Sequence, residues 1–256
     1  MAQPTTWNFK RMQFRLKTNP YVIAIAGTWD PPLPRHISLF KELSRYSKKR
    51  ALNPYVLIFY PNPLNYRHQN KYKDYFDLDA RIELCRRWGL NNVVVADFSR
   101  EDLELAVGDF FDQLAQNTGI VLTELWMGEN QSLGGGSQGF NTSRNECLAR
   151  NIKLRILKNS FLVNLDKDSI YRDFNAGKFE VVAAITGYYP TYKLKEDALI
   201  NMNDGLYKAK LRTDPFSNTN ELAVTIKITE GHLAAMERPG GHHWLILLER
   251  VEQGEP

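Results

Sequence analysis

The residues best suited to chemistry in this chain are gathered in the run Gly27-Thr28-Trp29-Asp30-Pro31-Pro32-Leu33-Pro34-Arg35-His36. The run follows an apolar stretch at 21–26 and precedes a segment of helical spacing. A strand, a Gly/Pro turn and a helix start in that order make a corner suited to an anion, because the helix's unbonded N–H groups and its dipole face whatever arrives at the turn. Arg35 adds a cation able to grip a phosphate. The same residues also read as a plain turn at Asp30-Pro31-Pro32, with His36 as a helix-start residue.

Further along, three stretches have the composition of ligand-facing loops. Pro61 and Pro63 flank Asn62 and force a stiff, extended exit from the apolar run before them, presenting the Asn62 amide toward a strand end. Without a ligand they make only a rigid loop. Gly128, Gly134, Gly135, Gly136 and Gly139 crowd the segment 127–139. Glycines let backbone approach a ligand closely, at an entropic cost that a purely structural loop does not need. Between 66 and 75, Arg67, His68, Lys71 and Lys73 stand among tyrosines, as a basic lid or as a solvated loop. Asp168 is expected to cap the helical pattern that begins near Ser169. The pair His242-His243 is expected to hold no metal, because adjacent strand side chains point to opposite faces and no carboxylate or cysteine is spaced to join them.

Positioning these residues needs a regular scaffold, and the first two thirds of the chain carry its pattern. Near-continuous apolar runs at 21–26, 55–60, 92–96, 120–127 and 153–157 read as strands buried on both faces. Helical spacing at 36–47, 78–88, 101–114 and 143–151 alternates with them. Within 78–88, Leu78, Ile82 and Cys85 form the inward stripe, and Asp79, Arg81, Glu83 and Arg86 the outward one. The alternation predicts an α/β fold, a Rossmann-like parallel sheet with helices on both faces that takes ligands at its strand carboxyl ends. After a helical piece at 169–186 come alternating runs at 206–211, 222–228 and 244–251, with turns at Asn203-Asp204-Gly205 and Pro239-Gly240-Gly241. These predict a small antiparallel β domain. The expected boundary divides 1–187 from 188–256.

Composition narrows the class. A chain of 256 residues with 43% hydrophobic and 24% charged residues is that of an ordinary globular protein, which excludes disordered and collagen-like classes. The net charge of +4 fits an anionic small molecule or a solvated basic face, and nucleic acid is not expected as a partner. Cys85 and Cys147 have no metal-ligand spacing, as in a reduced cytosolic compartment. No apolar run approaches the roughly 18 residues of a membrane span, and the N-terminus lacks a signal-peptide pattern. A soluble, cytoplasmic protein is the expectation.

From about Tyr21 to Gly187 the chain resembles the adenylyltransferase module of bacterial bifunctional riboflavin kinase/FAD synthetases, within the His-x-Gly-His nucleotidyltransferase superfamily. Four segments carry the resemblance in order. Gly27, Asp30 and His36 match the first motif, with Trp29 for the usual Phe and with Leu33 and Arg35 where the first His and the Gly stand. Phe59-Tyr60-Pro61-Asn62-Pro63 is similar to Phe-Glu-Pro-His-Pro. Gly128, Gly134, Gly136 and Gly139 fall in register with Val-Gly-x-Asp-Phe-x-Phe-Gly-x-Gly-x-x-Gly, while Asn130, Gln131, Leu133 and Gly135 replace its Asp, aromatics and basic residue. Ser169, Ile170 and Arg172 stand near the Ile-Ser-Ser-Thr-x-Ile-Arg motif, with Tyr171 in the Arg slot.

The resemblance implies transfer of AMP from ATP to FMN or a related phosphorylated acceptor, with Mg²⁺ and release of pyrophosphate. It implies His36, Asp30 and Arg35 as the catalytic set, and Gly27, Thr28, Trp29, Gly128, Ser169 and Arg172 as nucleotide-binding residues. Asn62, Asn130, Gly134, Gly136 and Gly139 would line the flavin or acceptor, with FMN or FAD as substrate, product or bound ligand. The tail corresponds in position to a riboflavin kinase module, but Tyr189-Pro190-Thr191-Tyr192 shares only Pro-Thr with the Gly-x-Pro-Thr-Ala-Asn motif, so kinase activity is not expected. A protein partner through the β domain is a further expectation. Leu33, Arg35, Gly135 and Tyr171 also define a competing one: a catalytically impaired pseudoenzyme of the same fold that binds a flavin, a nucleotide or a protein.

Overall fold

The computed structural model of the chain describes residues 8–13, 21–63, 73–97, 106–128, 133, 140–157, 166–194, 200, 202–233 and 244–251. They gather into two compact units. The first is drawn from Met1–Trp29, Ile37–Gln69 and Leu84–Leu162, the second from Asp30–His36, Asn70–Glu83 and Val163–Pro256. In chain order the elements begin with strand β1 (Asn8–Gln13), strand β2 (Tyr21–Gly27), helix α1 (Pro34–Lys49), strand β3 (Asn53–Tyr60), helix α2 (Leu78–Arg87) and strand β4 (Asn92–Asp97). Helix α3 (Val107–Thr118), strand β5 (Val121–Gly128), helix α4 (Phe140–Ala149) and strand β6 (Lys153–Leu157) follow. Next are helices α5 (Lys167–Asn175) and α6 (Phe179–Thr186), then strands β7 (Thr191–Lys193), β8 (Gly205–Arg212), β9 (Glu221–Thr229), β10 (His232–Leu233) and β11 (Trp244–Val251).

The first unit is built on a six-stranded sheet of order β1-β4-β3-β2-β5-β6. The five strands expected from the sequence pair in parallel, and β1 adds an antiparallel edge on β4 that no pattern in its sequence announced. Val22, Ile23, Ala24, Ile25 and Ala26 of β2 are all buried, as a continuous apolar run at the centre of a parallel sheet requires. Alternate residues divide between the two faces. Val22, Ala24, Leu57, Phe59 and Leu125 join Phe110, Phe111 and Leu114 of α3 and Cys147 of α4 in one core. On the other side, Tyr46 of α1 meets Trp126 of β5 edge-on at 5.3 Å, and its hydroxyl donates to Glu124 at 3.0 Å. The helix expected at 101–114 is described from Val107 and runs on to Thr118, where Gly119 (φ 66) ends it and donates to the Ala115 carbonyl.

The second unit holds a five-stranded sheet of order β10-β9-β8-β11-β7, its neighbouring strands antiparallel. Helices α5 and α6 pack on it through a chain of rings, Tyr75 to Phe174 at 5.1 Å, Phe174 to Phe179 at 5.7 Å and Phe179 to Tyr207 at 5.9 Å. The single helical piece expected at 169–186 is in fact these two helices. At Asn203-Asp204-Gly205, expected as a turn, the chain bends at Asp204 and enters β8, and the Asp204 side chain accepts from the Glu230 N–H at 2.7 Å. The turn expected at Pro239-Gly240-Gly241 lies outside the described residues, as does His242-His243. Among the described residues no helix is long and apolar enough to cross a membrane.

Candidate active site

In the first unit, strand register pairs Ile25 with Trp126, and β2 and β5 each run two residues further, to Gly27 and Gly128. β3 and β4 lie on one side of β2, with β5 and β6 on the other, so the strand order reverses between β2 and β5. The crevice outside such a reversal is where open α/β sheets take ligands. The chain leaves β2 through Trp29, whose φ of 56° is a left-handed conformation costing a residue with a Cβ roughly 1 kcal/mol. Packing holds it there. The indole Nε1 donates to the Leu57 carbonyl at 3.3 Å, and the ring meets Phe40 edge-on at 4.8 Å. A Cβ on Gly27 would stand 3.0 Å from the indole, so the close cover of Trp29 explains why this position is glycine.

Asn62 lies two residues past β3 and is buried. Thr28 and Gly128 are half-buried. Asn130, Gly134, Gly136 and Gly139 lie outside the described residues, as do Arg67, His68 and Lys71 of the basic stretch. Leu133, which replaces a family aromatic, is a core residue, and its N–H donates to the Ser143 hydroxyl at 3.0 Å.

The second unit contains Asp30, Arg35 and His36, and there Asp30 is the centre of a buried polar cluster. It is 1% exposed. One carboxylate oxygen accepts from the Tyr75 N–H at 2.9 Å, the other from the Phe76 N–H at 2.8 Å, and the Arg81 guanidinium lies at 3.2 Å. Arg81 is 0% exposed, donates to the Phe76 carbonyl at 2.9 Å and pairs with Asp74 as well. The donors are themselves fixed, because the Thr191 N–H of β7 donates to the Tyr75 carbonyl and the Asp77 N–H to the Thr191 carbonyl, each at 3.3 Å. Burial outweighs Arg81 and, with Asp74 and against the two amide donors, pushes the Asp30 carboxyl up to about 6. Burial alone would lower Arg81, but its two carboxylate partners keep it charged. Arg81, expected on the outward stripe of its helix, is fully buried instead. Leu84 and Cys85, three and four residues on, are both buried and mark the face to which Arg81 belongs.

His36 opens helix α1. Pro34 takes the first helical position, where its missing N–H costs nothing. The Leu33 N–H donates to His36 Nδ1 at 3.1 Å while the His36 N–H donates to the Leu33 carbonyl at 2.8 Å, a reciprocal closure like a capping box. Leu33 itself is fully buried. Burial, then Lys167, then Arg35 hold the imidazole well below its usual range, so the ring is neutral near pH 7. With Nδ1 accepting, its proton sits on Nε2. Burial also lowers Arg35, which remains cationic.

Helix α5 starts beside these residues' charges. Its cap is Asp166, whose side chain accepts from the Asp168 N–H at 3.0 Å; Asp168, expected to cap, is an exposed first-turn residue instead. Tyr171, in the family's Arg slot, is fully buried and its hydroxyl donates to the Asp30 carbonyl at 3.0 Å. Ser169 is half-buried, and Arg172 is exposed in the last turn. Lys167, the first residue of α5, belongs to no motif of the sequence. Burial, then Arg35, lower its amine against the pull of Asp30.

A doubly wound parallel sheet with its reversal at Gly27 and Gly128, and a strand–turn–helix corner leading to a neutral His and an Arg, defines a Rossmann-like protein of the nucleotidyltransferase kind. The FAD synthetase family model matches residues 17–169, and the chain belongs to that family. No curated protein matches. Among solved structures, one described as a macrolide-efflux protein from Streptococcus pneumoniae is similar with a TM-score of 0.65, covering 94% of this chain and 89% of that one at 13% identity. At that identity the likeness is one of fold alone.

Proposed function

We propose that this FAD synthetase-like protein transfers AMP from ATP to FMN or a closely related phosphorylated acceptor. An acceptor phosphate oxygen attacks the α-phosphorus, the bond from that phosphorus to the β-bridging oxygen breaks, and pyrophosphate leaves with the electron pair. Alignment and charge neutralisation supply the rate, with no covalent enzyme intermediate. The observation that carries this reading is His36, a neutral ring whose Nδ1 is occupied by the Leu33 N–H and whose Nε2–H is a donor suited to a phosphate oxygen. Arg35 beside it supplies positive charge, and Asp30 holds the turn ahead of both through Arg81, Tyr75 and Phe76.

In the first unit, Gly27, Thr28 and Gly128 are assigned to the nucleotide, with Trp29 as the packing of the turn. Asn62, Asn130, Gly134, Gly136 and Gly139 are assigned to the flavin or acceptor by family position, and Ser169 and Arg172 of the second unit to the nucleotide. Mg²⁺ spreads the triphosphate charge when bound. The exposed carboxylate of Asp168 is a hard oxygen donor of the kind that ion requires. The test is pyrophosphate release from ATP and FMN. His36→Ala lowers kcat about 100-fold or more, the scale of one lost donor to developing charge; unchanged turnover sinks the assignment.

Tyr171 favours a second reading, a flavin- or nucleotide-binding protein without transferase activity, because its hydroxyl is committed to the Asp30 carbonyl where the family uses an Arg. Flavin binding with no pyrophosphate release under saturating ATP and Mg²⁺ would support it.

A further inference from the structure

Helix α5 offers a cation that the family motif does not contain. Tyr171 is tied to the Asp30 carbonyl at 3.0 Å, which fixes that face of α5 against the turn 30–36 of the same unit. Lys167 is four residues earlier, one turn N-terminal on the same face, and helical side chains lean toward the N-terminus. Its ammonium therefore emerges beside the start of α1, where Arg35 and His36 stand. The electrostatics agree: Lys167 feels the Arg35 charge as well as the pull of Asp30, and His36 feels both cations.

Two cations, Arg35 and Lys167, and the neutral His36 have been brought to two helix starts; Asp30 attracts Lys167, and Asp166 and Asp168 flank it in sequence, with the Asp166 carboxylate spent on capping α5 through the Asp168 N–H. Asp30 has its oxygens on two backbone N–H groups and Arg81. Among the described residues, neither Arg35 nor Lys167 has a hydrogen-bond or ion-pair partner. Like charges held together and half-buried are unfavourable until an anion joins them. Helix dipoles at both starts add to the demand for negative charge.

We propose that Lys167 binds the polyphosphate of the nucleotide, jointly with Arg35, and so replaces the Arg that Tyr171 displaced. The inference rests on the adenylyltransferase reading and deepens it: the two cations take the β- and γ-phosphates, and stabilise the charge that gathers on them as pyrophosphate leaves. Tyr171 is then a positioning residue, setting the register of α5 on the turn.

The test is calorimetric titration of the full chain with inorganic tripolyphosphate, in the wild type and in Lys167→Gln, Lys167→Arg and Lys178→Gln. A charged hydrogen bond to phosphate is worth about 10- to 150-fold in affinity, so Lys167→Gln weakens binding by that factor. Lys167→Arg stays within a few-fold of wild type, which separates lost charge from a disturbed fold. Lys178, exposed and paired with Asp173, reports general charge and its replacement leaves binding unchanged. Equal binding by Lys167→Gln and wild type, or equal weakening by Lys178→Gln, overturns the role of Lys167 and leaves the adenylyltransferase reading standing. A wild-type chain that binds neither tripolyphosphate nor ATP overturns both.

Discussion

Two backbone N–H groups and a guanidinium occupy the Asp30 carboxylate, which marks it as the anchor of the turn before Arg35 and His36 rather than a group that exchanges protons with substrate. Arg81→Met leaves the buried Asp30 beside the half-buried Asp74 without a cation and costs about 3–5 kcal/mol, measurable by urea unfolding. The Asp30 carboxyl, raised from 3.8 to about 6, makes stability fall as pH rises through that window, because the unfolded chain ionises first. Asp30→Asn flattens this slope. For His36 the sign reverses: the folded ring titrates below the unfolded one, so its contribution is present above pH 6.5 and lost as pH falls. A proton NMR titration that found His36 charged at pH 6.5 would contradict the structure. Neither the Arg81 partnership nor the Lys167 cation was legible in the sequence. Both depend on which residues meet across long separations, and helical periodicity carries no such information.

At the scale of elements, the parallel strands were readable because burial on both faces demands continuous apolar runs. The edge strand β1 was not, since the only apolar residues of Asn8–Gln13, Phe9 and Met12, stand three apart rather than alternating, and the segment gains its place by pairing with β4. The break between α5 and α6 had a visible cause in Gly177, whose φ of +78 closes the first helix. Glycine is required there twice over. A Cβ would also lie 2.6 Å from the Arg250 Cβ on β11. Gly177→Ala is expected to destabilise the second unit by roughly 2 kcal/mol, from left-handed strain and overpacking together, and thermal unfolding followed by calorimetry checks it. The helical cap was misplaced from Asp166 to Asp168 because either carboxylate satisfies a capping pattern, and only backbone dihedrals choose between them.

At the scale of the whole chain, the family motifs were legible in their glycines, prolines and apolar frame, and these sufficed for the fold. What the changed side chains do was less legible, because Leu33 and Tyr171 look like lost phosphate contacts until their packing is seen: one closes the start of α1 and the other braces α5 on the turn. Calorimetry with ATP, FMN and FAD, each with and without Mg²⁺, separates a transferase, which binds ATP with the metal, from a carrier that takes flavin alone. Riboflavin phosphorylation is expected to be undetectable. Arg81 answers to two carboxylates drawn from distant stretches of the chain, so a chance replacement of Asp30, Asp74 or Arg81 strands a charge. The three are thus one unit energetically: replacing Asp30, Asp74 and Arg81 together by apolar residues of like volume is expected to cost less than the sum of the single replacements, because no charge is left without its partner.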